Sequence, residues 1–572
     1  MRKQSKLLTF VLFYLSMSST RGLSTRAANQ AAQKGGVIFH WFRLGDLRLH
    51  DNPALDRSAK ICDQTQSSLI PVFCFDPRIF GDNARSEFGS LKCGPRRAKF
   101  VLESVADLRQ SLERTGSKLV VAYAKPEDVF SQLLQDCKDT RSKIVYQDEV
   151  CPEERAVEHK VKKLFQSSEA VWGSTMYDIK DLPYDVDNNL SDMPDIFTPF
   201  RNQVEKNCKI NAPLPSPKRL SSFPLDTLPA LGPYASFLPT LEDLGYTQEQ
   251  IQSVATNDPR GVMEFKGGET AALARVKDYI WDKDLLHKYF DTRNGMIGAD
   301  YSTKFSPWLA HGNLSPRYVA RECKRYEVER VANKSTYWVV FEMLWRDFFK
   351  LFALKHGKTM FSPGGTMGSD KEWKHYEKNV KAWEEGRTGF PLVDANMREL
   401  AATGFMSNRG RQNVCSFLTL ELNEDWRYGA EYFESALLDH DVHSNWGNWC
   451  SGAGMTGGRV NRFNIVKQSK DYDSHGDYVR HWLPELKNVP TQFVHEPWKM
   501  NHFQQMEYGC QLGVDYPNPI APPFNPNPKG GSRSKGDRGG KAGKRDQPNK
   551  NRSRGQTKDM KSLKPGKWSI TG

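Results

Sequence analysis

The apolar run Val37–Phe42 ends in Arg-Leu-Gly-Asp, and Asn52 followed by Pro53 then supplies a helix N-cap and a first-turn proline. A strand therefore leads into a helix. The same alternation returns with apolar runs at 69–75, 118–124 and 143–146. Between them Val101, Val105, Leu108 and Leu112 recur at helical spacing before Gly116, and Phe130, Leu133, Leu134 and Cys137 mark another helix. Strands apolar on both faces and separated by helices predict a parallel α/β layer over residues 35–175. No Gly-x-Gly-x-x-Gly follows any of these strands, so the common dinucleotide fingerprint is missing.

From Trp172 to Gly268 the chain is rich in Pro, Asp, Asn and Ser, with Pro213, Pro215 and Pro217 in close succession, and residues 176–268 are predicted to connect two domains. Helical spacing then takes over at 271–290, 315–330, 335–354, 393–403, 409–422 and 427–438, which predicts an all-α domain over 269–520. Beyond it Pro, Gly, Ser, Lys and Arg rise and aromatic residues nearly vanish. Residues 521–572 are accordingly expected to be a disordered basic tail, with too little apolar surface to fold alone.

A length of 572 residues would allow about four domains of ordinary size. Removing the two unusual ends leaves room for two large ones. Residues 1–34 carry six basic and no acidic side chains, and residues 529–572 carry fourteen basic and three acidic, against a net charge of +13 for the whole chain. The body between them is therefore net acidic, and a nucleic-acid surface on it has to be a local cluster of Arg and Lys. Arg2, Lys3 and Lys6 precede a mainly apolar run at 7–15, followed by Ser, Thr and Arg without acids, which reads as a targeting segment. That run is far short of the roughly 20 residues needed to span a bilayer, so no membrane partner is expected. A signal-like start with a transit-like continuation points to bipartite import into a plastid; mitochondrial or nuclear delivery, or no address at all, are the alternatives. The ten cysteines show no C-x-x-C and no paired Cys/His spacing, so neither a disulfide framework nor a metal site is expected, only reduced and mostly buried thiols.

The stretch Leu437-Leu-Asp-His-Asp-Val-His-Ser-Asn-Trp-Gly-Asn-Trp449 gathers carboxylates, amides and tryptophans that a plain core has little use for. With His40-Trp-Phe-Arg-Leu-Gly-Asp-Leu-Arg-Leu-His-Asp-Asn52 near one end and Val494-His-Glu-Pro-Trp498 near the other, the chain resembles the photolyase/cryptochrome family, and within it the cryptochrome DASH branch. The resemblance implies a Rossmann-like α/β antenna domain, a long linker and a helical FAD-binding domain.

Thr303-Lys-Phe-Ser-Pro-Trp-Leu-Ala-His-Gly312 places Ser306 and Pro307 as an N-cap and first-turn proline, a helix start that attracts phosphate but by itself reads as a simple cap. The resemblance implies that Thr303, Lys304, Phe305 and Ser306, with Tyr289 upstream, hold FAD. Asp439 and Asp441 alone could be ordinary helix-end acids. The resemblance makes them face the isoalloxazine, with Arg411 pairing to the first and favouring an anionic reduced flavin by Coulomb attraction. It sets Asn445 at flavin N5, where repair enzymes and the DASH branch carry Asn. It also makes Trp449, Trp426 and Trp373 an electron relay to the surface, although with fourteen tryptophans any single one reads first as core.

Glu342 and Arg346 have the i, i+4 spacing of a surface ion pair. The resemblance instead implies that Glu342 hydrogen-bonds a flipped pyrimidine dimer, that Trp345 stacks on it, that Asn408 lies near lesion and flavin, and that Arg409 meets a phosphate. Gln412 stands where many duplex-repairing enzymes have Met. Ser451 stands where repair enzymes have Trp and DASH proteins commonly Tyr, and loss of that ring removes stacking worth about 1–3 kcal/mol per base. These departures weigh against duplex repair and leave single-stranded DNA, in which flipping is cheapest. Glu154, with Glu153 as its rival, matches the contact region of an antenna, 5,10-methenyltetrahydrofolate; a solvated acidic turn is the other reading. The basic tail could hold RNA or DNA by counterion release, or merely solubilise.

The expected function is that of a monomeric blue-light flavoprotein, a deoxyribodipyrimidine photo-lyase restricted to single-stranded DNA and driven by electron donation from excited reduced FAD. Two alternatives stand beside it: a photoreceptor signalling through flavin photoreduction, and a light-independent RNA- or DNA-binding flavoprotein.

Overall fold

The computed structural model describes residues 36–137, 141–222, 237–523 and 568–570. Strand β1 (Val37–Phe42) is buried along its whole length because strands pair with it on both sides, β2 (Ser68–Phe75) and β4 (Lys143–Gln147), with Phe39 opposite Ile70 and Ile144. Adding β3 (Val120–Tyr123) and β5 (Ser167–Val171) gives a five-stranded parallel sheet in the order β3-β2-β1-β4-β5. Parallel neighbours require crossovers. Helices α1 (Pro53–Thr65), α2 (Pro95–Arg114), α3 (Pro126–Cys137) and α4 (Pro152–Lys162) supply them. Asn52 caps α1 as its sequence requires, its Oδ1 accepting the Leu55 N–H at 3.0 Å. Alternate residues of β1 enter separate apolar layers, Ile38 and Phe42 on one face and Val37, Phe39 and Trp41 on the other. Strand β5 was not expected, since Ser-Ser-Glu-Ala-Val has no apolar run; it is a half-exposed edge that exists through its pairing with β4.

The segment read as a connection carries structure of its own. Helix α5 (Phe197–Asn207) buries Phe197, Phe200 and Val204 in the core of the helical domain. That domain follows with α6 (Glu269–Lys277), α7 (Pro316–Glu329), α8 (Lys334–His356), α9 (Pro391–Thr403), α10 (Asn408–Ser416), α11 (Trp426–Ala436) and α12 (Val442–Gly452). The single helix expected over 271–290 is interrupted: α6 widens into a π turn at Asp278–Asp282, and Asp284 then takes a left-handed conformation at φ 53°. Helix α8 is central and buried on nearly every side, which is why its sequence shows weak amphipathic contrast.

Buried polar groups join the two layers. Arg317 at the start of α7 donates to both oxygens of Asp51 at 2.6 and 2.9 Å, and His50 pairs with Glu269 at 2.5 Å. Gly312, at φ +65°, passes so close to the Gly45 carbonyl that an added Cβ would lie 2.0 Å from it. All ten cysteines are buried and free. Among the described residues no helix is long and apolar enough to cross a membrane. The targeting segment at 1–34 and most of the basic tail lie outside the described residues. Residues 568–570 depart from the expectation of a wholly disordered tail: the Ile210 N–H donates to the Ser569 carbonyl at 3.0 Å, and Trp568 is buried in the helical core.

Candidate active site

Side chains from α8, α10, the loop before α12 and the residues Arg293 and Asn294 that follow the short helix Tyr289–Thr292 are tied together by ion pairs and hydrogen bonds. Arg411 of α10 donates to both oxygens of Asp439, at 2.8 and 3.0 Å, on a carboxylate that is almost wholly enclosed. Arg346 of α8 reaches Asp441 at 3.1 Å. Asp441 is also the N-cap of α12, its Oδ1 accepting the Ser444 N–H at 3.0 Å. The helix-end reading of that residue therefore applies, and an ion pair with Arg346 is added to it. Burial pushes its carboxyl up, yet His443 and Arg346 beside it hold it well below the usual carboxylate range.

Glu342 does not form the surface pair with Arg346 that its spacing permits. It accepts from Arg293 at 2.5 Å and from the Trp338 indole at 3.0 Å, while Arg346 turns to Asp441 and to the Ser174 carbonyl. Burial raises the Glu342 carboxyl above its ordinary range, with Arg293 opposing, although a third of its side-chain surface stays open. Asn408 and Gln412 are exposed one helical turn apart at the start of α10. Arg409 between them donates to Gln412 at 2.8 Å and to Asn294 at 3.1 Å and lies 4.4 Å over the Tyr472 ring, so both terminal nitrogens of its guanidinium are engaged and Nε is not. Trp345 is not an open platform either: Phe197 of α5 lies parallel to it, 3.6 Å between centroids at 10°. Ser451 is partly buried in the last turn of α12.

At 303–306 the structure corrects the cap. Phe305 holds the N-cap position of the short helix Ser306–Ala310, no side chain caps it, and Ser306 is its first helical residue and exposed. Proline at 307 fits the first turn in either frame. Thr303 presents its carbonyl to Arg275 at 3.1 Å. Lys304 has left-handed φ of 59° and turns inward, its Nζ 3.0 Å from Ser302 Oγ and 2.9 Å from the Tyr301 ring centroid; burial lowers its pKa well below the usual ammonium range. Tyr289 and Phe305 are buried. Buried polar atoms in this part of the domain have no partner among the described protein groups: Arg293 Nε, Arg409 Nε, Asn413 Oδ1 and Tyr301 Oη. Unsatisfied donors and acceptors beside two arginine–aspartate pairs suit a large polar, anionic cofactor.

Asn445 donates to the Ala430 carbonyl at 2.9 Å, fixing its amide between α11 and α12. Trp449 and Trp426 are buried, and Trp373 is partly exposed. Trp426 and Trp373 share one acceptor, the Pro363 carbonyl, at 3.1 and 3.0 Å. The Trp449 ring fills the space beside Gly429, where an added Cβ would lie 2.3 Å from it, one turn along α11 from Trp426. Exposure thus rises from Trp449 and Trp426 to Trp373.

A second polar cluster occupies the carboxyl ends of β1 and β4, where the strand order switches direction, the place at which open parallel sheets bind ligands. Lys350 of α8 pairs with Glu149 at 3.0 Å, Arg43 pairs with Glu158, and Glu154 Oε2 is buried without a partner. Burial, with Glu149 adding to it, pushes the Glu154 carboxyl up to about 7. Its rival Glu153 is exposed and pairs with Lys92 at 2.8 Å. Sequence reasoning missed Arg293, Arg346, Phe197 and the Glu149–Lys350 pair. Arg43 lay within the motif at 40–52 and Arg346 was legible only as the i, i+4 neighbour of Glu342, whereas tertiary contacts bring in the others.

Two family models match, DNA photolyase over residues 38–218 and the FAD binding domain of DNA photolyase over residues 338–523. A protein of Ostreococcus tauri named cryptochrome DASH, chloroplastic/mitochondrial, is 48% identical over 500 residues, 84% of this chain and 90% of that one. A cryptochrome DASH of Gloeobacter violaceus is 47% identical over 494 residues, 85% of this chain and 93% of its own. Among solved structures, a Synechocystis cryptochrome superposes with a TM-score of 0.77 at 45% identity, covering 85% of this chain and 96% of that one. A class III photolyase from Agrobacterium tumefaciens gives a TM-score of 0.67 at 25% identity, over 89% and 96%. The chain is a flavoprotein of the photolyase/cryptochrome family and belongs to its cryptochrome DASH branch.

Proposed function

We propose that this chain repairs cyclobutane pyrimidine dimers in single-stranded DNA under blue light. The observation that carries the reading is the continuity of the site: Glu342, held by Arg293, stands one helical turn from Arg346, which grips Asp441 on the other side. A group meeting Glu342 is thereby joined by one rigid helix to the acids expected to face the flavin. FAD, when bound, supplies light absorption and single-electron transfer. In this reading Tyr289, Thr303, Lys304, Phe305, Ser306 and Asn445 hold it, and Arg411 and Asp439 set the charge beside it. Glu342 meets the dimer's base edges through the part of its carboxyl surface that Arg293 leaves open. Asn408 adds an exposed amide at the mouth, and Trp345, backed by Phe197, offers a braced ring. Trp449, Trp426 and Trp373 pass an electron inward from the surface.

Arg409, engaged by Gln412 and Asn294, gives little hold on a duplex backbone, and Ser451 contributes no stacking face. Both favour a strand that needs no unpairing. The same two features support the second reading, a photoreceptor in which photoreduction alters partner contacts without repair. We further propose 5,10-methenyltetrahydrofolate as the antenna at Glu154, whose unpartnered oxygen can accept from a pterin edge. The leader directs the chain to a plastid in this reading, in keeping with the printed name of the Ostreococcus relative. The basic tail adds a salt-sensitive hold on RNA or DNA.

Illumination of the purified, FAD-loaded protein with dimer-containing single-stranded and duplex oligonucleotides, scored by recovered thymines, tests this. Repair of the single strand well above the duplex is expected. Absence of repair on both, with the flavin bound and reduced, would leave the photoreceptor reading.

A further inference from the structure

Trp446 follows Asn445 on α12 and belongs to no role assigned above, yet it sits against the proposed relay. Its ring centroid is 5.8 Å from that of Trp426 in a T-shaped contact, and the residue is 8% exposed. Its indole N–H does not meet a backbone carbonyl, as those of Trp373 and Trp426 do. It donates to a buried carboxylate, Glu434 Oε2, at 3.1 Å. Resting on the electron relay in the proposed function, we propose that Trp446 is a side branch of that relay and that Glu434 receives its indole proton.

The step balances within the chain. When Trp426 has lost an electron toward the photoexcited flavin, an electron moves from the Trp446 ring to the Trp426 ring, restoring Trp426 and leaving Trp446 oxidised by one electron. The oxidised indole is a far stronger N–H acid than the neutral one. Its Nε1 proton passes along the existing hydrogen bond to Glu434 Oε2, which becomes a carboxylic acid, and Trp446 is left as a neutral radical. Deprotonation removes the positive charge that return of the electron would neutralise, so the separated state lasts longer.

The surroundings of Glu434 suit this role. Its Oε1 lies 3.9 Å from the Lys92 ammonium, which pairs on its other side with exposed Glu153 at 2.8 Å. His440 Nε2 stands 4.0 Å from the same oxygen. Arg97 donates at 2.9 Å to the Glu434 backbone carbonyl, adding positive charge that favours the anionic side chain. Burial nevertheless raises the Glu434 pKa, making the carboxylate a better proton acceptor than one in water.

Glu434→Gln keeps an oxygen that accepts the indole N–H but cannot take the proton, and Trp446→Phe removes the branch. The flavin absorption spectrum verifies that each variant is folded and loaded. After a light flash, the wild type is expected to show a deuterium-sensitive rise of neutral tryptophanyl radical; Trp446→Phe loses this phase, and Glu434→Gln holds the signal at the radical cation. In the dark, the Trp446 indole N–H resonance, assigned by its loss in Trp446→Phe, is expected to move upfield in Glu434→Gln as its charged acceptor disappears. An unchanged deuterium-sensitive phase in both variants overturns the branch while leaving the relay intact. Absence of any tryptophan radical in loaded wild type overturns the branch and the relay together.

Discussion

At the scale of single residues, the site is a set of ionisable groups moved from their ordinary behaviour by burial and then partly returned by neighbours. Glu342 is the residue on which the repair reading turns, because its partner Arg293 leaves one face open while burial raises its carboxyl above the ordinary range. Replacing Glu342 with Ala is expected to lower the repair rate on single-stranded DNA by about 10-fold or more, as loss of one hydrogen bond to a buried partner would, without altering the flavin spectrum. An unchanged rate would show that the lesion is received elsewhere. Glu399 provides a pH test. It is buried on α9 and accepts from the Tyr478 hydroxyl at 2.6 Å, and burial pushes its carboxyl from 4.5 to about 8. A carboxyl raised in the folded state is favoured in its protonated form. Its contribution to stability is therefore complete below pH 4.5 and lost as pH rises through about 8. Thermal unfolding should show a smaller loss of stability over this window in Glu399→Gln than in the wild type; parallel pH profiles would contradict the assignment.

At the scale of elements, sequence patterns located helices and strands wherever burial left a periodic trace. They failed where a neighbour determines conformation. Strand β5 needs β4, and the break near Asp284 interrupts a segment whose periodicity reads as continuous. Helix α5 had been read as part of a connection because prolines and polar residues surround it, yet its Phe197 backs Trp345. Truncating Phe197 to Ala should cost about 3–5 kcal/mol, the usual range for a buried aromatic. It should also free the Trp345 ring. Chemical denaturation gives the first quantity and weaker single-stranded DNA binding the second; a variant of wild-type stability would mean that the stack contributes little. The pairing of Glu342 was likewise illegible, because i, i+4 spacing favoured Arg346 and only the fold brings Arg293 to it.

At the scale of the whole molecule, the helical domain is locked onto the α/β layer by charges withdrawn from water. Asp51 is fully buried in its pair with Arg317. Asp51→Asn leaves the guanidinium with a weaker partner, and breaking such a buried pair typically costs about 3–5 kcal/mol. The expected result is a lower denaturation midpoint by that measure, and a change under about 1 kcal/mol would show that the lock is dispensable. The sequence by itself determined the alternation of strand and helix in the first part, the helical character of the second and the motifs that carry a flavin site, because periodicity and short-range capping are local properties. The structure decided what those motifs touch. Arg346 chose Asp441 over Glu342, Glu154 rather than Glu153 faced inward, and Trp446 met a carboxylate, since each depends on which surfaces packing brings together and no spacing along the chain encodes that choice.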